Sequence, residues 1–320
     1  MEEHKSNTPI TFADQVRAVP GGEYLDLCYS CGTCVSKCLI QQKIEPEYNP
    51  RRLLRMALMG MREDAFQSPT TWLCSACDLC YPACPQEIHI SSVIGAVKQL
   101  AVQAGYTSPL TTVKVDETRC AGCAICVMAC PYEAPHLIQK EVNGVMDRFS
   151  EVDVNKCMGC GICVAACPMG AISRPGVANT DIFPQIKIKK QKGVPSLLVF
   201  ICDWSLRADE DVNLLESYPD NVRVIHIPCS GRIDPQYALF ALASGINGIL
   251  ICGCQPGECH FKRGTDVATC KITILDKMMN QMEVGEGRVH FVQLGTQQRG
   301  RIRQEIDGML QNLVNRMAVQ

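Results

Sequence analysis

Four times between residues 28 and 167 the chain repeats the pattern CxxCxxCxxxC, and no other feature restricts its fold as strongly. The runs are Cys28, Cys31, Cys34, Cys38; Cys74, Cys77, Cys80, Cys84; Cys120, Cys123, Cys126, Cys130; and Cys157, Cys160, Cys163, Cys167. They form an internal repeat of four units. The chain holds 22 cysteines in 320 residues, far above ordinary usage, and is too long for a disulfide-stapled miniprotein. A stabilising role cannot absorb them all.

Thiolates at this spacing suit iron–sulfur cubanes. Three closely spaced cysteines wrap one cluster, and the fourth, set one residue further on and turned by a following proline, serves the cluster of a partner run. That rule predicts four [4Fe–4S] sets: Cys28, Cys31, Cys34 with Cys84; Cys74, Cys77, Cys80 with Cys38; Cys120, Cys123, Cys126 with Cys167; and Cys157, Cys160, Cys163 with Cys130. Pro85, Pro131 and Pro168 follow the last cysteine of three runs, whereas Leu39 follows the first. The competing readings are zinc ribbons, built from isolated CxxC pairs, and disulfides. Gly122, Gly159 and Gly161 leave room for backbone N–H groups to approach cluster sulfur.

Between the first two runs, Asn49 to Gly60 reads as a helix with Asn at the N-cap, Pro in the first turn and Gly at the end. Ile90 to Ala104 carries a helical apolar period that stops at Gly105. Short strands are predicted at Val113 to Val115 and Val152 to Val154, before the third and fourth runs. Ser173 to Pro195, with its prolines, glycines and Lys187, Lys189, Lys190 and Lys192, reads as a linker. Its lysines form a solvated face or, alternatively, a patch for an acidic partner. Beyond it, apolar runs at Leu197 to Ile201, Val222 to Ile227, Gly248 to Ile251 and Val289 to Leu294 alternate with helical stretches, predicting a mostly parallel sheet flanked by helices.

In such a sheet ligands bind beyond the carboxyl ends of the strands. Cys202, Cys229, Cys254 and Cys259 fall there, making a four-cysteine site suited to [2Fe–2S], with zinc as the other occupant. Cys252 and Cys270 are expected to be packing residues. His226 and His260 flank the site, so a two-histidine Rieske arrangement is a minor alternative. Arg232 and Asp234 read either as loop-orienting or docking residues, or as a surface ion pair.

CYSCGTCVSKC, NPRRLLRMALMGM and TWLCSACDLCYPACPQEIHISSVIGAVKQL together resemble the HdrC family of heterodisulfide reductases, over roughly residues 10 to 105. VDETRCAGCAICVMACPYEAP and VDVNKCMGCGICVAACPMGAI are similar to a bacterial two-cluster ferredoxin. VFICDW, VRVIHIPCSGRIDPQYALFAL and GINGILICGCQPGECHF resemble the MvhD family, the [2Fe–2S] delta subunit of methyl-viologen-reducing hydrogenase, from residue 196 to about 315. The family's ligands would fall on Cys202, Cys229, Cys254 and Cys259. The chain departs from the common CxxC of that family by having Asp203-Trp204-Ser205 after Cys202.

These resemblances imply an α+β multidomain chain: an α-helical HdrC-like domain with two [4Fe–4S] clusters (1–110), a small α+β ferredoxin-like insert with two more (111–175), a linker (176–195) and a carboxyl-terminal α/β domain with one [2Fe–2S] cluster (196–320). They further imply an electron relay between a hydrogenase, formate or NADH dehydrogenase-type module and an HdrA-like FAD protein or an HdrB- or HdrD-like acceptor. The setting would be a heterodisulfide-reductase-like complex, of which the electron-bifurcating kind is one form.

Other function classes find little support. No GxGxxG or GxxxxGK[ST] occurs, Gly285-Glu286-Gly287 being followed by His290 where a third glycine would stand, so neither flavin nor nicotinamide is expected in this chain. The adjacent Cys-Cys pair of the heterodisulfide-cleaving proteins is missing as well, and no catalytic residue stands out. The formal charge of −2 and 6% aromatic content disfavour nucleic acid. The start MEEHKSNTPI has no signal core and the apolar runs fall short of the roughly 18 residues a span needs, so a cytoplasmic, reducing setting is expected. A stand-alone reductase with an open cluster site, or a zinc-bound scaffold, are the alternatives to the relay.

Overall fold

Asn49 accepts a hydrogen bond from the Arg52 amide at 3.0 Å, Pro50 occupies the first turn, and the resulting helix Pro50–Leu58 leaves through Gly60 at φ +75°. The cap and the proline each satisfy a helix start that lacks backbone partners. The computed structural model describes residues 10–142, 144–188, 192–205, 218–284, 287–295, 298 and 300–318. They fall into two compact units, 1–110 and 111–320.

In the first unit, Leu53, Leu54 and Ala57 pack against Val93, Ile94, Val97 and Ala101 of the helix Ile90–Gln103, with Phe12 and Val16 of Phe12–Ala18 closing the core. Phe66 meets Phe12 edge to face, centroids 5.4 Å apart. Cys34 is part of this core, and Cys28, Cys74, Cys80 and Cys84 pack against it. The helices therefore frame both cysteine runs.

The second unit begins with β1 (Lys114–Val115), which pairs antiparallel with β4 (Ile172–Ser173). Between them, β2 (Pro135–Val142) and β3 (Val145–Val152) form an antiparallel hairpin. Here the expected strand Val152 to Val154 is corrected: Val152 ends the long strand β3 and residues 154–156 are a turn. Asn143-Gly144 between two β-rich runs is a hairpin signal that the sequence did carry.

Four parallel strands follow, β5 (Leu197–Cys202), β6 (Val222–Ile227), β7 (Gly248–Cys254) and β8 (Val289–Leu294), in the order β6-β5-β7-β8. The helices Pro235–Ala243 and Gly264–Gln281 cover one face through Tyr237, Ala241, Ile272 and Leu275. Arg301–Met317 covers the other through Ile302, Ile306 and Leu313. β5 and β7, buried along their whole length, therefore read as continuous apolar runs.

The segment expected as a linker is folded over much of its length. Asn179–Ile182 is helical, Phe183–Gln185 a 3₁₀ turn, and Ile182 and Ile186 are buried in the sheet core beside Tyr237. Prolines and glycines there mark tight turns; the apolar spacing of Ile182, Phe183 and Ile186 decides the packing. Lys189 and Lys190 of the lysine run lie outside the described residues, as do Gly285 and Glu286.

Candidate metal centres

The cysteine runs adopt loops that a regular helix or strand could not supply. In the first, third and fourth, a residue in the left-handed region (Gly32 at φ +87°, Ala124 at +64°, Gly161 at +80°) precedes a short helix that carries the third cysteine. Glycine takes this conformation without cost, and alanine does so against steric strain.

In the first unit one cavity is lined by Cys28, Cys31 and Cys34 together with Cys84 and Pro85 from the second run. Beside it, the buried Tyr48 hydroxyl hydrogen-bonds to Cys74 and Cys38. Burial raises the Cys80 thiol, and the charges of Cys74, Cys77, Cys34 and Cys38 raise it further. Cys38 thus stands near Cys74, Cys77 and Cys80. Tyr48 lies in a YNP context that gave no sign of this role, and the sequence reading missed it.

The second unit repeats the arrangement. Cys157, Cys160 and Cys163 line a cavity with Cys130 of the preceding run. Cys126 is repelled by Cys123 and Cys167 after burial has raised it. Ser150, on β3, meets two cysteines of that set, through its hydroxyl to Cys126 at 3.2 Å and from its amide to Cys120 at 3.4 Å. The Ala171 amide donates to Cys167 at 3.3 Å. Burial pushes Cys34 up to about 11 and Cys160 up to about 12.

At the carboxyl ends of the parallel strands, the Cys202 and Cys254 sulfurs lie 4.0 Å apart. Cys259 hydrogen-bonds to both Cys229 and Cys254, which lowers it, while Cys254 is raised by its bonds to Cys202 and Cys259. All four are buried. Cys229 is raised by its bond to Cys259, by burial and by the charges of Cys202 and Cys160. Cys252 is buried on another path, in the apolar core with Val199, Leu250 and Ile306. Cys270 is exposed, which corrects its expected packing role: it sits on the outer side of the helix Gly264–Gln281.

His226 is half-exposed and pairs with Asp203 at 3.4 Å, while His260 stacks on Trp204 with centroids 3.3 Å apart. The contacts among the sulfurs of the site run between the four cysteines, which favours a four-cysteine set over a Rieske pair. Ser205, in place of the second cysteine of a CxxC, donates to the Cys202 carbonyl at 2.8 Å. Arg232 is fully buried and bonds to Val177 and Asn179, so the alternative of a surface ion pair with Asp234 is corrected.

These sites fit iron–sulfur clusters on two grounds. Buried thiols that repel one another are costly as free thiolates, and a cationic iron core removes that cost by binding them deprotonated. Next, a Cβ on Gly264 would stand 2.1 Å from the Cys229 sulfur and 3.3 Å from that of Cys259, so the backbone opposite the sulfurs has been kept bare. Among the described residues no three His, Cys, Asp or Glu side chains close around a single ion. The donors are soft sulfur throughout.

A fold of this kind, with paired four-cysteine loops and a parallel sheet whose ends gather four more, defines an iron–sulfur electron-transfer protein. Residues 24–88 and 100–173 each match a 4Fe-4S dicluster domain, and residues 197–315 match the methyl-viologen-reducing hydrogenase, delta subunit. The D-type iron-sulfur subunit of the F420-non-reducing hydrogenase of Archaeoglobus profundus is 34% identical over 99 residues, 30% of this chain and 72% of that one. Through residues 197–315 the chain therefore belongs to the methyl-viologen-reducing hydrogenase delta subunit family.

Two further relatives match other spans. The A-type subunit of the ferredoxin:CoB-CoM heterodisulfide reductase of Methanosarcina mazei is 33% identical over 214 residues, 64% of this chain and 26% of its own length. The C-type subunit of the H(2):CoB-CoM heterodisulfide,ferredoxin reductase of Methanothermobacter marburgensis is 30% identical over 105 residues, 33% of this chain and 55% of its own length. The chain thus spans only about a quarter and about half of these two relatives. Among the described residues no helix is long and apolar enough to cross a membrane.

Proposed function

We propose that the chain is a five-cluster wire. Cys28, Cys31, Cys34 and Cys84 would hold one [4Fe–4S] cluster, and Cys74, Cys77, Cys80 and Cys38 a second. Cys120, Cys123, Cys126 and Cys167 would hold a third, and Cys157, Cys160, Cys163 and Cys130 a fourth. Cys202, Cys229, Cys254 and Cys259 would hold a [2Fe–2S] cluster. When bound, the clusters supply one-electron carriers. The chain's own part is to bind them, exclude water and set their potentials through hydrogen bonds and charge.

The observation that carries this reading is the make-up of the two cysteine-lined cavities. Each takes three cysteines from one run and the last cysteine of its partner run, as in Cys28, Cys31, Cys34 with Cys84 and Cys157, Cys160, Cys163 with Cys130. Two-cluster ferredoxins share ligands between runs in that way.

The relatives, components of heterodisulfide reductases and of a hydrogenase, support a place between a hydrogenase- or dehydrogenase-type module and an HdrA-like flavoprotein or an HdrB- or HdrD-like acceptor. A heterodisulfide-reductase-like complex, including one that bifurcates electrons, is the setting we favour. Anaerobic purification of the full chain tests the cluster count: five clusters require about 18 iron per chain. About 8 or fewer would overturn it. Co-purification of a flavoprotein under the same conditions tests the partner.

A further inference from the structure

The third and fourth cysteine runs and the sheet domain belong to one compact unit, and glycines lie where the fourth run meets the turn after Cys229. The stem of Arg232 crosses Gly161, between Cys160 and Cys163; a Cβ there would stand 2.8 Å from the Arg232 Cδ. A Cβ on Gly231 would stand 3.0 Å from both the Ile162 side chain and the Gly264 carbonyl. Gly264 in turn faces the Cys229 sulfur, 2.1 Å from where a Cβ would stand. The two cysteine sets therefore meet with little between them but backbone and the Arg232 side chain.

Arg232 is 0% exposed. Its Nε and Nη2 donate to the Val177 carbonyl at 2.9 and 2.7 Å, and Nη2 also donates to Asn179 Oδ1 at 2.7 Å. The Tyr237 ring lies 5.4 Å from the guanidinium. Nη1 is buried with no hydrogen-bond partner, and no carboxylate forms a salt bridge with the group among the described residues. The nearby carboxylates are engaged with backbone: Asp234 accepts from the Gln236 amide and Asp181 from the Ala178 amide. A second cation, Lys271, donates to the Gly231 and Ile233 carbonyls at 3.2 Å each, and burial lowers it.

Burying a cation with no bonded carboxylate is expensive; its direct partners are neutral oxygens and a ring face, with Asp181 and Asp234 near enough to act on Tyr237 but not bonded to the guanidinium. A cluster held by four thiolates is a net anion that gains one further negative charge on reduction, so a buried cation nearby favours the reduced form, and the cluster's potential responds to net charge and hydrogen bonding.

We propose that Arg232 is a positioning residue for electron exchange, its buried charge raising the reduction potentials of the centre at Cys202, Cys229, Cys254 and Cys259 and of the cubane at Cys130, Cys157, Cys160 and Cys163. The inference rests on the cluster assignment above. In the exchange one electron leaves the iron core of one centre, which is oxidised, and enters the other, which is reduced; no bond forms or breaks and no proton moves. The fixed cation favours whichever centre holds the electron, keeping it at this junction.

The test is an anaerobic redox titration of the full chain, read by the [2Fe–2S] paramagnetic signal, with iron content measured alongside. Arg232→Gln keeps a donor for Val177 and removes the charge; the midpoint should move to more negative potential. Arg232→Lys, which keeps the charge, should restore most of it. Asn179→Asp keeps the acceptor for Arg232 and Tyr237 but adds a counter-charge, and should shift the midpoint in the same negative direction. Full iron with an unshifted midpoint in Arg232→Gln overturns the proposal. If that variant fails to load iron, Asn179→Asp decides, an unshifted midpoint again overturning it. A wild-type chain without the [2Fe–2S] signal would refute the cluster assignment instead.

Discussion

Gly264 faces Cys229 so closely that a single methyl group cannot be placed between them: a Cβ would stand 2.1 Å from the Cys229 sulfur. Cys229 is held on its other side by the turn Ser230–Arg232, whose Arg232 amide returns to the Cys229 carbonyl at 2.9 Å. Something must shift to admit the methyl, and the nearest atoms are the sulfurs of Cys229 and Cys259. Gly264→Ala should therefore abolish the carboxyl-terminal centre and spare the cubanes, with loss of about 2 iron per chain and of the [2Fe–2S] signal. An unchanged signal would show that Cys229 is not a ligand.

The sharing of ligands between runs is tested by Cys38→Ser and Cys84→Ser. Cys38 stands with Cys74, Cys77 and Cys80, and Cys84 lines the cavity of Cys28, Cys31 and Cys34. Cys38→Ser should damage the cluster of the second run, Cys84→Ser that of the first. The opposite pairing, read by spectroscopy on each variant, would refute the exchange.

Tyr48→Phe removes a buried hydroxyl that bonds to Cys74 and Cys38. A donor to a ligating thiolate stabilises the reduced, more negative cluster, so its loss should lower one cubane potential. It should also cost about 1 kcal/mol of stability. A potentiometric titration showing no cubane shifted would reduce Tyr48 to a packing residue.

Ile182 and Ile186 bury in the sheet core from the segment that joins the ferredoxin-like part to β5. Ile182→Ala should cost about 2–5 kcal/mol in thermal unfolding of the full chain. A fragment of residues 111–320 should fold and take up clusters, while 196–320 alone should be markedly less stable, since it leaves Arg232 and Tyr237 without the Asn179 oxygen that accepts from both. Equal stability of the two fragments would contradict this.

The cysteine runs, the alternation of β and α after residue 196 and the capped helix Pro50–Leu58 were all legible in the sequence, because each is written in local spacing: ligand interval, apolar period, cap residue. The strand-end positions of Cys202, Cys229, Cys254 and Cys259 followed from the topology such alternation implies. Tyr48 and Ser150 were invisible by contrast, since a hydroxyl beside a thiol has no sequence signature. Arg232 was left open between a loop-orienting or docking residue and a surface ion pair, and its burial went unread. A charged residue three positions after a cysteine is ordinarily solvated. Only the packing of residues 177–186 against it, and of its stem against Gly161, removes the water and holds its guanidinium on the Val177 carbonyl and Asn179. Spacing along the chain determines which groups can share a centre; burial, contributed by segments far away in sequence, decides what charge that centre sees.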